Sequence, residues 1–164
     1  MDDPDHVGKV YTGHDVYFEK QVRCRCGLHA INNALGRKEI YFWDIDRHNL
    51  IGNYSIEQVV NVCDKRLHRH FLPVFFGPGV PRQTPDESKD NYLYRVGRHA
   101  FDAIKTEYRY ICRRRDHYFA LVPCPTDPDV LVMADSTKAC LFYFERSLPI
   151  PLGRLLKDVT VYVL

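Results

Sequence analysis

From Cys26 onward apolar side chains recur at spacings of three and four, with Leu28, Ile31 and Leu35 on one helical face. Gly36 supplies a C-terminal stop, so the pattern predicts a helix over Cys26–Leu35. The stretch KEIYFWDIDRHNLIGN reads as a short aromatic link and then a brief helix, with Asp44 as its N-cap and Gly52 as its stop. Ser55 stands three residues before Gln58, a capping-box pairing, and Ile56, Val59, Val60, Cys63 and Leu67 share a face. A second helix is therefore expected over Ile56–His70. A third, over Asn91–Thr106, follows from Leu93, Val96, Ala100, Ala103 and Ile104, although Gly97 in its interior costs about 1 kcal/mol relative to alanine. Between these two helices lies FLPVFFGPGVPRQTPDESKD, dense in proline and carrying a GPG unit. Its apolar start can form a strand; the rest is expected to be an exposed, mobile loop and a candidate lid over the site.

The period changes at Tyr108. YRYICR, HYFALV, DVLVMAD, CLFYFE and VTVYVL are short runs of β-branched and aromatic residues separated by proline, aspartate and threonine, as in an antiparallel sheet. Helices followed by strands indicate an α+β fold, not a doubly wound parallel sheet. The expected helical part is about 26–106 and the sheet part about 108–164. With 164 residues and no internal repeat, the chain is expected to form a single domain.

Composition removes several function classes. A hydrophobic fraction of 45 % with 13 % aromatics argues against wholesale disorder. Lys plus Arg, 23, against Asp plus Glu, 21, leaves +2, which argues against a nucleic-acid partner. No apolar run approaches the roughly 18 residues that would cross a bilayer. The acidic start MDDPDHVGKV lacks the basic and apolar regions of a signal peptide. The expectation is a soluble chain with no membrane partner, located in the cytoplasm alone or in cytoplasm and nucleus both. Its 6 cysteines are too sparse for a disulfide scaffold, so they are expected as thiols in a reducing compartment.

The candidate chemistry begins at Cys26. A thiol at a helix N-terminus meets unpaired backbone N–H groups and the positive end of the dipole, which favour a nucleophilic thiolate. Gly27 beside it would let a substrate backbone approach closely. Five residues upstream, Gln21 can donate its amide to an oxyanion alongside the Cys26 N–H, as acyl transfer to a thiolate requires. His117 begins a strand and is the best-placed base; Asp135 ends the next strand. In a hairpin turning at Thr126–Asp129, both would share a face with Phe119, Leu121, Leu131 and Met133. Asp135 would then hold one imidazole nitrogen while the other faces Cys26.

The string QVRCRCGLHAINNAL, residues 21–35, resembles the nucleophile segment of the Josephin deubiquitinases, a family of papain-like cysteine peptidases. In that family a glutamine five residues before the cysteine contributes to the oxyanion hole, and a histidine and paired asparagines follow within the helix. The matching positions are Gln21, Cys26, His29, Asn32 and Asn33. The likeness continues through GRKEIYFWDIDRHNL, and through DHYFALV and ADS, which are similar to the family's histidine and third-member strands. The family usually has asparagine at the third position; Asp135 resembles instead the acid of bacteriocin-processing peptidases of the same clan. The resemblance implies a papain-like fold with the active site between its two parts, no cofactor, and a monomer acting on ubiquitin or polyubiquitin.

Competing readings are of three kinds. Cys24 could be the nucleophile, but the glutamine spacing and the helix start favour Cys26; His29 suits packing or hydrogen bonding better than base chemistry. Cys24, Cys26 and His29 could contribute to a zinc site, yet no second ligand pair has regular spacing, so no metal is expected. The basic runs Arg113–Arg115 and KRLHRH are either solvated faces or surfaces for an acidic partner. Two other functions stand beside the deubiquitinase. One is a papain-like peptidase cutting a polyprotein or propeptide at a Gly-Gly-like site; the other is an inactive ubiquitin-binding module.

Overall fold

The computed structural model of the protein describes residues 8–48 and 51–164. Among these, four α-helices and seven strands occur: β1 Lys9–Val10, α1 Cys26–Leu35, α2 Ile56–Leu67, β2 Leu72–Phe76, α3 Lys89–Ala103, β3 Tyr110–Arg114, β4 His117–Cys124, β5 Asp127–Ala134, β6 Phe142–Glu145, α4 Pro149–Leu156 and β7 Thr160–Val163. The strands form one sheet in the order β1-β6-β5-β4-β3-β7-β2, and every neighbouring pair is antiparallel. The α+β class expected from the sequence is the class observed. No helix among the described residues is long and apolar enough to cross a membrane.

Both faces of the central strands are covered. Tyr118, Ala120 and Val122 of β4, with Val130, Val132 and Ala134 of β5, enter a core with Leu28 and Ile31 of α1 and Val59 and Val62 of α2. The alternate residues Phe119, Leu121, Leu131 and Met133 enter a second core with Val96, Ala100 and Phe101 of α3 and Leu152 and Leu155 of α4. Strands buried on both sides need apolar residues at every position, which explains the unbroken runs HYFALV and VLVMA.

The expected division into a helical part and a sheet part is therefore corrected. β2, from the first half, closes one edge of the sheet by pairing with β7, while α4 lies inside the region read as strands. α4 is concealed in sequence by Pro149 and Pro151, which suggest a loop. Both sit in the first helical turn, where the N–H groups that proline lacks would have no partner in the helix anyway. The interior Gly97 of α3 has its reason here: a Cβ on it would lie 1.9 Å from the Pro149 carbonyl oxygen, and one on Gly153 would lie 2.0 Å from that of Leu93. The two helices pack backbone to backbone.

Helix ends follow local chemistry. α1 has the expected bounds and stops at Gly36, whose φ of 77° is left-handed. The capping box of α2 is formed, with Gln58 N donating to Ser55 Oγ (3.2 Å) and Ser55 N to Gln58 Oε1 (2.9 Å). α2 ends before the expected His70 because His68 turns left-handed. α3 starts earlier than expected, capped by Ser88, and ends at Ala103. The brief helix after Asp44 is not formed over residues 45–48; Asn49 and Leu50 lie outside the described residues. Asp44 instead ends a 3-10 turn, Phe42–Asp44, and accepts from the Tyr41 N–H at 2.9 Å.

Candidate active site

Cys26 is the first residue of α1, which has neither a side-chain cap nor an acidic residue in its first turn. Its N-terminal N–H groups are thus left to an anion at the sulfur or nearby. The preceding loop is fixed from the side: Cys24 N donates to Ile51 O (3.0 Å) and Asn53 N to Cys24 O (2.7 Å). Only glycine fits between them, since a Cβ on Gly52, at φ 109°, would sit 2.4 Å from Cys24 O.

The polar side of α1 anchors the segment that carries Gln21. The His29 Nδ1–H donates to Glu19 Oε1 at 2.6 Å, and its Nε2 accepts from Val22 N at 3.1 Å. Asn32 donates to Glu19 Oε1 and Ile40 O, both at 2.9 Å, and accepts from Glu39 N (3.1 Å) and Ile40 N (2.8 Å). Asn33 Oδ1 accepts from Glu19 N at 2.8 Å, and its amide donates to Glu19 O at 3.3 Å. Burial raises the Glu19 pKa, but hydrogen bonds from His29, Tyr17 and Asn32 outweigh it and hold the group below its ordinary value. Both His29 nitrogens are occupied, which leaves neither for a base or for zinc.

Gln21 is tied to the loop after β5: its N–H donates to Ser136 O at 2.8 Å, and its Oε1 accepts from Ser136 Oγ at 3.3 Å. One amide hydrogen is given to Arg23 O. The side chain lines the same cleft as Cys26.

His117 and Asp135 meet through strand register. β4 and β5 pair Leu121 with Met133 and Ala120 with Ala134. Two further steps make His117 and Asp135 diagonal neighbours on the Phe119 face, the relation expected from their odd numbers. His117 Nε2–H donates to Asp135 Oδ2 at 2.9 Å. Asp135 Oδ1 accepts from Thr137 N (3.0 Å) and Thr137 Oγ1 (2.7 Å), so both carboxylate oxygens are held. A side-chain hydrogen bond links Cys26 and His117. Cys26 Sγ also lies 3.6 Å from the Asp116 carbonyl oxygen.

The electrostatics match the geometry. Burial lowers the His117 pKa, but its hydrogen bonds to Asp135 and Cys26 and the charges of those groups outweigh it and push it up to about 9. Burial raises that of Asp135; the His117 contact and charge and the two Thr137 bonds reverse this, leaving it below the usual carboxylate value. Cys26, His117, Asp135 and Gln21 open into one cleft of about 840 Å³, with Phe119 and Met133 among its walls and both Asp116 and Asp158 on it. Arg114, Arg115 and Lys138 also line it.

All four site residues read from the sequence are brought together; two expectations beside them are corrected. Gly27 does not face substrate: a Cβ there would meet Val59 at 3.1 Å and Tyr118 at 3.5 Å, so the glycine lets α1 close on the sheet. The candidate lid is not over the site, since no residue of 73–90 lines the cleft. That loop folds against α3 instead, where Arg95 pairs with Glu87 at 3.0 Å. Arg114 is not simply a solvated residue, because it donates to Leu155 O at 2.7 Å. Sequence reasoning missed Glu19 and Thr137. Each stands two residues from a site residue, Gln21 or Asp135, and a polar side chain at that offset was the available signal. No protein-family model matches the chain, and no curated protein matches it in sequence.

Proposed function

We propose that the protein is a cysteine-type hydrolase of the papain-like, Josephin kind, a deubiquitinase that cleaves the (iso)peptide bond after the C-terminal glycine of ubiquitin. The observation that carries this reading is the chain of contacts from Cys26 to His117 to Asp135 in one open cleft. A buried carboxylate fixes the imidazole and favours its protonated form, which sets a cation beside the sulfur, as a cysteine nucleophile requires. The thiolate attacks the carbonyl. The resulting oxyanion is met by the Cys26 N–H and by the Gln21 amide, which has a hydrogen beyond the one given to Arg23. His117 gives its proton to the leaving amine and then takes one from the water that hydrolyses the thioester.

The papain-like assignment is supported by the layout, in which the nucleophile opens a helix packed on an antiparallel sheet that carries the base and its orienter. The ubiquitin assignment is supported by the resemblance of residues 21–35 to the Josephin nucleophile segment. It is also supported by Asp116 and Asp158 on the cleft, which suit the arginines of the ubiquitin tail. All four residues come from one chain, so a monomer suffices. The cysteines among the described residues are free thiols, which fits a reducing compartment such as cytoplasm or nucleus.

The test is mass spectrometry after incubation with ubiquitin bearing a C-terminal thiol-reactive group, on the wild type, Cys26→Ala and Cys24→Ala. An adduct lost only in Cys26→Ala is expected. Arg114, Arg115 and Lys138 on the same cleft favour a second reading, a peptidase that takes an acidic polyprotein or propeptide segment. Selective alkylation of Cys26 by a small electrophile with no ubiquitin adduct would put that reading first. Ubiquitin binding without any thiol reactivity would leave an inactive binding module.

A further inference from the structure

We infer that Cys24 is a resolving thiol for Cys26, and that peroxide converts the pair into a reversible Cys24–Cys26 disulfide that switches the site off. The inference deepens the proposed function, resting on its assignment of Cys26 as the reactive thiol.

Three observations carry it. Both sulfurs belong to residues lining the same cleft, with Cys24 exposed and Cys26 beside His117. The backbone between them is folded: Arg25 has φ −99° and ψ 35°. With consecutive Cα atoms 3.8 Å apart, those angles bring the Cys24 and Cys26 Cα atoms to about 5.8 Å, at the commonest separation for disulfides. An extended residue at that place would hold them near 7 Å, beyond the usual range. Cys24 is also held in register by its paired bonds to Ile51 and Asn53 across Gly52, so the approach is built into the loop. The other cysteines are placed differently. Cys63 and Cys112 are fully buried, and neither Cys124 nor Cys140 lines the cleft.

The chemistry balances with a hydroperoxide as the oxidant. The Cys26 thiolate attacks one peroxide oxygen, the O–O bond breaks, and Cys26 sulfenic acid forms with release of hydroxide. The Cys24 thiolate then attacks the sulfenyl sulfur; the S–S bond forms, the S–O bond breaks, and the second oxygen leaves as hydroxide. The two thiol protons convert both hydroxides to water. Two thiols are oxidised by two electrons in total, and a dithiol reductant restores them by exchange. Accessible thiolates set beside a second cysteine are the ones that stop at the disulfide, whereas an isolated thiolate goes on to sulfinic acid.

The experiment treats the reduced full chain with a few equivalents of hydrogen peroxide, blocks remaining thiols and reads intact and tryptic masses. Trypsin cuts after Arg23, Arg25 and Arg37. The wild type should therefore lose about 2 Da and yield Cys24–Arg25 joined to residues 26–37 through a bond that dithiothreitol releases. Cys24→Ser should instead gain about 32 Da on Cys26, and dithiothreitol should not restore that thiol. If the wild type also gains the 32 Da, or pairs Cys26 with another cysteine, the inference is overturned. Labelling of the untreated reduced protein by the ubiquitin electrophile is scored separately. Loss of that adduct with a normal Cys24–Cys26 crosslink would count against the substrate alone, and an intact adduct with no crosslink against the switch alone.

Discussion

On one face of the sheet α1 buries His29, Asn32 and Asn33 among Leu28, Ile31 and Leu35; on the other, α3 and α4 contribute no buried polar side chain among the described residues and touch through the backbone at Gly97 and Gly153. The first arrangement spends helix surface on amides and an imidazole. Each of these groups is tolerable only because its donors and acceptors are matched. What it gains is position: the segment with Gln21 and the helix start with Cys26 become one rigid unit. The second arrangement gains stability from close packing, and the sheet face beneath it also carries the His117–Asp135 pair. The candidate site thus has a satisfied polar layer on one side and a dense apolar one on the other.

The largest expected effect tests the dense side. Gly97→Ala should lower the unfolding free energy by about 3 kcal/mol, because the clash is with backbone that cannot swing aside. Urea denaturation measures it, and a loss under about 1 kcal/mol would mean that α3 and α4 are not locked together. The rate of Cys26 alkylation in the folded fraction should be unchanged. On the polar side, Asn32→Ala should cost about 2 kcal/mol by leaving the Glu39 and Ile40 N–H groups without their acceptor. Unlike Gly97→Ala, it should also slow Cys26 labelling by the ubiquitin electrophile. If the two variants behave alike in labelling, the division of labour between the faces is wrong.

The smallest effect concerns pH. His117 has a folded pKa of about 9 against an ordinary value of 6.5. A raised pKa means that the protonated pair stabilises the fold fully below about pH 6.5, and that this stability is lost as pH rises through about 9. Partial exposure of His117 screens the pair, so the loss should be about 1 kcal/mol. Chemical denaturation at pH 6 and pH 9.5 measures it. Asp135→Asn should flatten the difference, and an unchanged slope in that variant would show that another group titrates.

Much of the polar face was legible in the sequence because its signals are local. The Cys26–Leu35 helix, the Gly36 stop and the Ser55–Gln58 box depend on residues within a turn of each other, and each formed where expected. The His117–Asp135 relation was legible for a similar reason, since side chains alternate along a hairpin and odd residues stay with odd residues under any even register. The dense face was much less so. α4 carries two prolines and a glycine over eight residues, which locally reads as loop, and only its contact with α3 makes a helix of it. β2 could be suspected as a strand, but its place at the sheet edge beside β7 joins residues about ninety positions apart.

From the residues alone follow the α+β class, the helix that carries Cys26, and four residues with the right chemistry for a thiol site. They do so because propensity, capping and alternation act over a few residues. Long-range packing set the rest: helices cover both faces of the sheet, Gly27 and Gly97 serve packing, and Glu19 and Thr137 hold the site from behind. Those outcomes depend on which surfaces meet across long stretches of chain, where burial and backbone contact override what each segment would prefer alone.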